Sequence, residues 1–524
     1  MQYELAPSTW RKFITQHSDF IVIGLLTLVY LLLPTRNSTL DAWYYAACVR
    51  HGHELFLAHH LLYNPAGWLW VKALQILGLQ PDTLAALKAL NALAAAGSLL
   101  VLRQLLRVVA PVKPVGAWLL LVGGSFGVLR FATENETYIQ PLLLSLLGSL
   151  AWVRYQLCGQ RPTNLFWAGF WAAVACLFHQ IHFFWWLSLL LGTVWYAHHK
   201  VRSGVLYSLP ALLVPAAYLA ALPTWHQPLT LPALWRFVFH DYYAGTAGGS
   251  ISGHGLLLSV INLVRTFMQL HGSTLALLRQ YPALWLVGAG FLALLAYAAG
   301  LLWRSFRQRS PAGYSAEPAE LINRVIRTHG LILGVQFLFA VSAEGNAEFM
   351  VMLPALLAIV LGLLPGLAWV PQRAVLVTGL ALLLWNLAFG LAPAHQLRFA
   401  NNDTLLRRIR QEPQSRFLLD NHNLVLNQLH YQTGQAVAPP NVLPTPTLLV
   451  QRPGQSPQRL RQWLREQRRA GHRLYTTGLH GPQLLDRAQL VYGNQNAKLL
   501  RGFQTQRVDS FATSFGPYYL TEIR

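Results

Sequence analysis

Acidic residues and histidines recur in pairs at the ends of long apolar runs in this sequence. Three such pairs fall in very short polar turns, namely Glu134 with Glu136, His179 with His182, and Glu344 with Glu348. Carboxylates and imidazoles are the usual acids and bases of enzymes. At the end of an apolar helix they are costly unless they are paired or functional. If the turns share one side of the protein, these pairs predict a common polar site.

Each of these residues also has a purely structural interpretation. The segment Glu134-Asn135-Glu136 could be a solvated turn between two helices, and His179 and His182 could be ordinary residues of a membrane interface. Asp241, which follows His240 in a long polar loop, could belong to a linker or to a site. Sequence alone leaves these alternatives open.

The polar segment after the first apolar run is the richest in candidate residues. It begins with a carboxylate and two aromatic residues, continues through a histidine-rich turn and ends in Asn-Pro. Its candidate site residues are Asp41, Tyr44, Tyr45, Glu54, His59, His60, Tyr63 and Asn64. Such a segment could supply a base, stacking surfaces and hydrogen-bonding groups to a ligand.

The composition shows what must hold these residues. Of 524 residues, 54% are hydrophobic and only 11% are charged, against roughly 25% charged in ordinary soluble domains. The mean hydropathy is +0.35. This is too much apolar surface for a soluble core, because single cores stop growing at about 250–300 residues. We therefore predict an integral membrane protein.

Apolar runs predict about eleven membrane-spanning helices. The runs are 18–34, 84–102, 115–131, 138–153, 164–179, 183–198, 205–222, 282–303, 328–343, 349–365 and 373–391. With a cytoplasmic N-terminus, fifteen Lys and Arg residues flank the inner ends of these runs and six the outer ends, which is a positive-inside bias. This orientation places eight of the twelve carboxylates before residue 392 on the outer side, together with the histidine pair. The preferred location is a bacterial cytoplasmic (inner) membrane.

The chain after residue 394 has a different character. It contains no run long enough to span a membrane, and Gly and Pro punctuate short strand-like runs at 417–419 and 448–450 and a polar helix around 456–470. We predict a transmembrane domain over 1–394 and a small extracytoplasmic α/β domain over 395–524. The arginines of the polar helix could be a solvated face or a contact for anionic lipid headgroups. A nucleic-acid partner is not predicted.

Two motifs resemble the GT-C superfamily of polytopic glycosyltransferases, such as the protein O-mannosyltransferases and aminoarabinose transferases. The first is the early outer-loop acid Asp41, followed by Tyr44 and Tyr45 and later by Asn64-Pro65. The second is the segment Glu348–Pro354, which is similar to the outer end of a late Pro-containing span in that group. Many relatives carry two near-adjacent acids in the first loop, whereas here Ala42 follows Asp41. This departure weakens a metal-chelating role for the loop and leaves a single-base role available.

The resemblance implies an all-α GT-C membrane domain that transfers a sugar from a polyprenyl-phosphate donor to a lipid or glycan acceptor. It implies that Asp41 deprotonates the acceptor and that Glu134 or Glu136 orients a substrate. The departing phosphate needs positive charge on the outer side, which the histidines, the basic C-terminal domain or four basic residues could supply, namely Arg50, Lys72, Arg236 and Arg265. No cofactor is assigned, although a divalent cation held by His59, His60, Glu54 or Asp41 could do the same work.

Two further classes of function are open from the sequence. A transporter or lipid flippase would need polar residues near the bilayer midplane and a repeat between halves, and no persuasive repeat is found. A non-catalytic protein of envelope assembly would keep the same architecture without chemistry. The sequence has no Walker phosphate loop, no serine nucleophile elbow and no His-Glu-x-x-His, which argues against ATP-driven transport and against those hydrolase classes.

Overall fold

The computed structural model describes residues 9–110, 115–157, 160–243, 249, 251–270, 273–308, 316–367, 369–480 and 495–524. Their contacts divide the chain into two compact units. The first unit contains the residues up to Pro34 and Glu54–Leu391, and the second contains Thr35–His53 and Ala392–Arg524. Each unit has its own architecture.

The first unit is helical. Its α-helices are Thr9–Leu32, Tyr63–Ile76, Thr83–Val109, Gly116–Gly123, Phe126–Ala132, Ile139–Leu157, Pro162–Phe178, Phe183–Tyr196, Lys200–Ser208, Leu213–Ala221, Leu231–Val238, His240–Tyr243, Gly253–Phe267, Ser273–Gln280, Leu284–Arg307, Ala316–Ser342, Leu353–Leu363 and Gln372–Asn386. Short 3₁₀ turns cover Gln180–His182, Leu209–Leu212, Leu222–Trp225, Ala347–Met350 and Pro365–Leu367, and a π turn covers Leu387–Leu391.

Five helical segments of the described residues are long and apolar enough to cross a membrane. They are Thr83–Val109, Lys200–Trp225, Leu284–Arg307, Glu320–Ser342 and Gln372–Gln396, and shorter apolar helices cover Ser18–Leu32, Pro162–Phe178 and Ala347–Leu363. Each overlaps a predicted span. The predicted run 115–131 forms two short helices instead, because Ser125 starts a new helix with an extended backbone. The protein is therefore a multi-pass membrane protein, while the full count of eleven stays a prediction.

Small residues set the closest helix approaches in this unit. A Cβ atom at Gly169 would lie 1.9 Å from the carbonyl oxygen of Tyr207, and one at Gly123 would lie 2.7 Å from the hydroxyl oxygen of Tyr30. The contact at Gly169 is with the backbone, so glycine is required at that crossing, whereas a Cβ atom at Gly123 would require neighbouring side chains to shift. Close packing of this kind is how helices associate in membranes.

The second unit is an α/β fold. Its strands are β1 (Arg416–Leu419), β2 (Val442–Pro444), β3 (Leu474–Thr476), β4 (Thr505–Thr513) and β5 (Gly516–Ile523). They form one sheet in the order β2-β1-β3-β5-β4. β1 is parallel to both β2 and β3, and β5 is antiparallel to β3 and β4. The helices of this unit are Leu40–His51, Ala392–Gln396, Asp403–Gln411, His422–Thr433, Pro446–Val450, Pro457–Arg469 and Asn496–Leu499.

Alternate residues of β1 bury into opposite sides of this sheet. Phe417 and Leu419 pack with Leu406 and Val425 of the helices Asp403–Gln411 and His422–Thr433. Leu418 packs with residues of the helix Pro457–Arg469. This two-residue period is the geometry of a strand covered on both faces, and it confirms the predicted small C-terminal sheet with its polar helix.

One of the two predicted strands in this region is wrong. Residues 448–450 lie in the helix Pro446–Val450, not in a strand. Proline in the first helical turn has a backbone angle already suited to a helix, and Pro446 takes that position. The apolar run Leu448–Val450 alone could not separate the two outcomes.

The segment just after the first membrane helix packs within the second unit. The helix Leu40–His51 lies against the helix His422–Thr433, where the Trp43 and Tyr431 rings meet edge to face with centroids 5.1 Å apart. Asn427 Nδ2 donates a hydrogen bond of 2.8 Å to the Leu40 carbonyl oxygen, and the Arg50 guanidinium lies 4.6 Å from the Tyr431 ring centre. Residues 35–53 are therefore part of the same folded unit as the C-terminal sheet.

Candidate active site

The acidic turn Thr133–Thr137 is buried between the helices Phe126–Ala132 and Ile139–Leu157. Glu134 is 2% exposed and Glu136 is 3% exposed. Lys88, on the neighbouring helix Thr83–Val109, places its Nζ 3.7 Å from Glu134 Oε1, and both side chains are buried. The turn is thus held by an internal ion pair and is not the solvated linker that the sequence left open.

A hydrogen-bond network fixes the backbone of this turn. Asn91 Nδ2 donates to the carbonyl oxygens of Glu134 and Glu136, each at 2.7 Å. Tyr63 donates its hydroxyl to Asn135 Oδ1 at 2.7 Å. Because buried carbonyl groups need partners, Asn91 and Tyr63 lock the acidic turn in a single conformation.

Glu348 lies in a second polar cluster with residues from other helices. Tyr138 donates its hydroxyl to Glu348 Oε2 at 3.0 Å, and Arg130 Nη2 lies 3.6 Å from Glu348 Oε1. Glu348 belongs to the 3₁₀ turn Ala347–Met350, which Asn346 caps by accepting the Glu348 amide hydrogen at 3.0 Å. Residues far apart in sequence therefore meet at one carboxylate.

A second arginine, Arg265, is close enough to Arg130 to feel its charge. Arg265, on the helix Gly253–Phe267, donates from Nη1 to Asn262 Oδ1 at 2.9 Å. Partial burial and the positive charge of Arg130 both lower the pKa of Arg265. Like charges repel, and an anion near both guanidinium groups would relieve that repulsion.

The histidines continue the cluster on the other side of Tyr138. The rings of Tyr138 and His179 lie 5.1 Å apart, and those of His179 and His60 lie 4.5 Å apart. His59 precedes His60 in sequence and pairs through Nε2 with Asp241 Oδ2. One contiguous row thus links Glu348 to Asp241 through four aromatic side chains.

Charge in this row is set by burial and by hydrogen bonds. Burial and the neighbouring His59 lower the pKa of His60 to about 3, so His60 is neutral at physiological pH. Burial acts to raise the pKa of Asp241, but hydrogen bonds from His240 and His59 outweigh it and the pKa is lowered. Asp241 is therefore a carboxylate with two histidine partners.

Four further residues of this unit were predicted from the sequence as site residues, and two of them are buried while two are exposed. His182 is buried, with Nδ1 2.7 Å from Ser145 Oγ. Asn64 is fully buried at the start of the helix Tyr63–Ile76. Glu54 and Glu344 are exposed and have left-handed backbones with φ of 50° and 55°.

Asp41, Tyr44 and Tyr45 lie in the second unit. Asp41 is an exposed residue in the first turn of the helix Leu40–His51, and Thr39 caps that helix by accepting the Ala42 amide hydrogen at 3.1 Å. The Tyr44 and Tyr45 rings lie 6.0 Å apart, and Tyr44 contacts the His430 ring at 6.4 Å. A carboxylate in the first turn of a helix is favourably placed relative to the helix dipole.

No protein-family model and no curated protein matches the sequence, whereas several solved structures match the fold. Among solved structures, an oligosaccharyltransferase of Archaeoglobus fulgidus in complex with Zn and sulfate aligns over 96% of this chain and 72% of its own, with 13% identity and a TM-score of 0.50. ArnT from Cupriavidus metallidurans aligns over 98% of both chains with 12% identity and a TM-score of 0.43.

The fold is similar to that of the Archaeoglobus fulgidus oligosaccharyltransferase. At such low identity the similarity concerns the fold alone. The oligosaccharyltransferase structure contains zinc. Among the described residues of this chain, no group of three or more His, Cys, Asp and Glu side chains could hold a metal ion.

Several polar residues of these clusters were not singled out from the sequence. They are Lys88, Asn91, Arg130 and Gln180. Gln180 donates from Nε2 to the Ala58 carbonyl, the Tyr218 hydroxyl and the Val238 carbonyl at 2.8–3.1 Å. A polar residue within an apolar helix was the available signal for Lys88 and Asn91, since such residues rarely lack a partner.

Proposed function

We propose that this protein is an integral membrane glycosyltransferase that moves a sugar from a polyprenyl-phosphate donor to an acceptor outside the cytoplasm. The proposal includes an inner-membrane location, about eleven spans, a cytoplasmic N-terminus and an outer C-terminal α/β domain. The transferred sugar is a single hexose or pentose unit, and the acceptor is a lipid or a glycan.

The observation that supports this proposal is the cluster of Arg130, Tyr138 and Glu348, together with the nearby Arg265. Glu348 Oε1 lies 3.6 Å from the Arg130 guanidinium, and partial burial together with the charge of Arg130 lowers the pKa of Arg265. A phosphate between the two guanidinium groups would neutralise both, and arginine binds phosphate oxygens with a planar, two-pronged geometry. A phosphate at a membrane-embedded protein is readily supplied by a lipid carrier.

The chemistry that such a site supports is a displacement at the sugar carbon C1. The acceptor oxygen forms a bond to C1, the C1–oxygen bond to the lipid phosphate breaks, and the acceptor proton passes to a base. Negative charge develops on the departing phosphate, where Arg130 and Arg265 stabilise it. Tyr138 and Glu348 hold Arg130 in place through the contacts described above.

The residue roles implied by the GT-C resemblance complete the proposal. Asp41 is the proposed base. Glu134, paired with Lys88 and buried, supports the site by shaping the acidic turn, and we assign Glu136 to the same turn. The candidate substrate contacts are His59, His60, His179, Asp241 and Glu348. The proposal includes a divalent cation, which is compatible with the zinc in the similar oligosaccharyltransferase. Adding metal in the assay below tests this part of the proposal.

The test is a transfer assay with purified full-length protein. Polyprenyl-phosphate sugars with isotopic label are incubated with the protein and a set of lipid and glycan acceptors, with and without Mg²⁺ or Mn²⁺. Mass spectrometry then detects the labelled product and the released polyprenyl phosphate. The expected result is label transfer from at least one donor, with equal amounts of lipid phosphate released.

Arginine variants connect activity to the proposed anion site. Arg130→Ala and Arg265→Ala should each weaken binding of polyprenyl phosphate about tenfold to a hundredfold, because a hydrogen bond to a charged group contributes about 1.5–3 kcal/mol. Arg279→Ala is the matched control, since Arg279 is an exposed arginine on the helix Ser273–Gln280. Unchanged phosphate binding in both site variants would contradict the proposal.

A further inference from the structure

The C-terminal unit has a second site candidate, created by the order of its parallel strands. β1 leads through the helix His422–Thr433 to β2 on one side, and β2 leads through the helix Pro457–Arg469 to β3 on the other side of β1. These two helices belong to different hydrophobic clusters on opposite faces of the sheet. β2 and β3 therefore lie on opposite sides of β1, and sheets of this type bind ligands outside the carboxyl ends of the strands where the strand order reverses in this way.

A cavity is present at this position. It has a volume of about 40 Å³ and is lined at the end of β1 by Asp420 and Asn421 and at the end of β3 by Thr477. Phe399, Asn401 and Tyr518 are among the residues that complete its wall. One water needs roughly 10–15 Å³ measured in this way, so the cavity admits a few non-hydrogen atoms of a larger ligand.

The polar atoms of the cavity are carboxylate, hydroxyl and amide groups. Asp420 Oδ1 accepts a hydrogen bond of 2.7 Å from Thr477 Oγ1, and Oδ2 accepts one from the Tyr518 hydroxyl. Burial raises the pKa of Asp420 despite these hydrogen bonds. Carboxylates and side-chain amides together accept and donate hydrogen bonds, which matches a ligand that carries hydroxyl groups.

The lining also shows which ligands are disfavoured. None of the described lining residues is Lys or Arg, although this part of the chain is rich in arginine. A phosphate or carboxylate ligand would face Asp420 without a compensating positive side chain. The turn Asp420-Asn421-His422 has no glycine, whereas the nucleotide-binding sites of related sheet topologies use a glycine-rich turn there.

We propose that a neutral saccharide unit binds at the mouth of this cavity, with a hydroxyl-bearing part of the unit inside it. Asp420, Asn421 and Asn401 would meet its hydroxyl groups, and the aromatic faces of Phe399 and Tyr518 would cover its apolar C–H side. The site lies wholly within the second unit. It does not depend on the glycosyltransferase proposal, because it would serve equally to hold a glycan on a protein without catalytic activity.

The test measures saccharide binding to the full-length protein in lipid nanodiscs, because maltoside detergents would themselves supply saccharide. Saturation-transfer NMR and calorimetry are applied to glucose, mannose, galactose, N-acetylglucosamine, glucuronate and glycerol. At least one neutral sugar should bind in the millimolar range, at least about tenfold more tightly than glucuronate or glycerol.

Two variants locate this binding. Ala400→Trp fills the mouth of the cavity from an exposed position and should abolish binding. Asn421→Ala should weaken it about fivefold to tenfold, and it removes no helix cap, because Asn421 makes no side-chain capping bond. The matched controls are Ala470→Trp and Asn423→Ala, exposed residues away from the cavity.

Each outcome decides the proposal. Loss of binding in the two cavity variants, with binding retained in both controls and similar thermal unfolding for all four proteins, supports it. If Ala400→Trp does not fold, Asn421→Ala with its control decides. The absence of binding by every neutral sugar, or equal binding by wild type and the folded cavity variants, would overturn it.

Discussion

Replacing Lys88 by methionine should strongly destabilise the membrane unit. Lys88 Nζ lies 3.7 Å from Glu134 Oε1, and the two side chains are 8% and 3% exposed. Methionine has a similar length and lacks the charge, so the substitution removes the partner of Glu134 without opening a large cavity. The Glu134 carboxylate would then remain among apolar helices with its countercharge removed.

The expected loss in the free energy of unfolding follows from the distance between the two charges and from their burial. At 3.7 Å the attraction between unit charges is about 4 kcal/mol for an effective dielectric constant of roughly 20. Removal of one partner from a buried pair generally costs about 3–5 kcal/mol, while replacement of both partners by neutral residues costs much less. We therefore expect Lys88→Met to lower the free energy of unfolding by about 3–5 kcal/mol, and the double variant Lys88→Met/Glu134→Gln to recover more than half of that loss.

The assay is equilibrium unfolding in mixed detergent micelles with increasing dodecyl sulfate, followed by circular dichroism. Wild type, both single variants and the double variant form a double-mutant cycle, which isolates the coupling between the two residues. Lys72→Met is the matched control. Lys72 is exposed and lies 5.7 Å from the Trp68 ring centre, so its replacement should change the free energy of unfolding by less than about 1 kcal/mol.

Two results would refute this reasoning. One is a loss below about 1 kcal/mol in Lys88→Met, the range of an exposed pair. The other is a double variant that is as unstable as Lys88→Met, since the unpaired carboxylate could not then be the cause. If Glu134→Gln stopped sugar transfer while leaving the unfolding free energy unchanged, a direct catalytic role for Glu134 would replace the supporting role given to it here.

Two further predictions concern the second unit. Asp41→Asn should abolish sugar transfer while leaving expression and thermal unfolding unchanged, and a variant with normal transfer would remove Asp41 as the base. Burial opposes the charge of Glu522, but hydrogen bonds from Arg524 and Arg473 lower its pKa below 4.5. A lowered pKa gives stability that is present above the unfolded value and lost as the pH falls through the folded value. Glu522→Gln should therefore lower the unfolding temperature at neutral pH and have little effect in acid, and an equal effect at both pH values would contradict this.

Composition and periodicity were sufficient to predict the main architecture. Apolar runs marked the long helices because a membrane-spanning segment needs about 20 residues of one character. The change of composition after residue 394 indicated a separate fold, and Phe417–Leu419 formed a strand as expected. The run Leu448–Val450 became a helix because Pro446 precedes it, and a three-residue apolar run has no period of its own.

The partners within the site were much harder to predict. The positive-inside bias predicted that acids and histidines lie on one side of the membrane, but it could not show that Glu134 would pair with a lysine 46 positions earlier. The row through Tyr138 and His179 depends on helix packing that local patterns do not encode. Arg130 was overlooked because it sits at the end of an apolar run, where a basic residue is usually an ordinary interfacial anchor.

The inclusion of Thr35–His53 in the second unit has a consequence for biosynthesis. These residues are synthesised several hundred residues earlier than their folding partners, the helix His422–Thr433 and its neighbours. They must wait, without those contacts, while the intervening membrane helices are inserted. A truncated gene that starts at residue 392 would likewise produce a domain with the Tyr431 side of its surface uncovered, so a stable fragment should carry residues 35–53 fused by a linker.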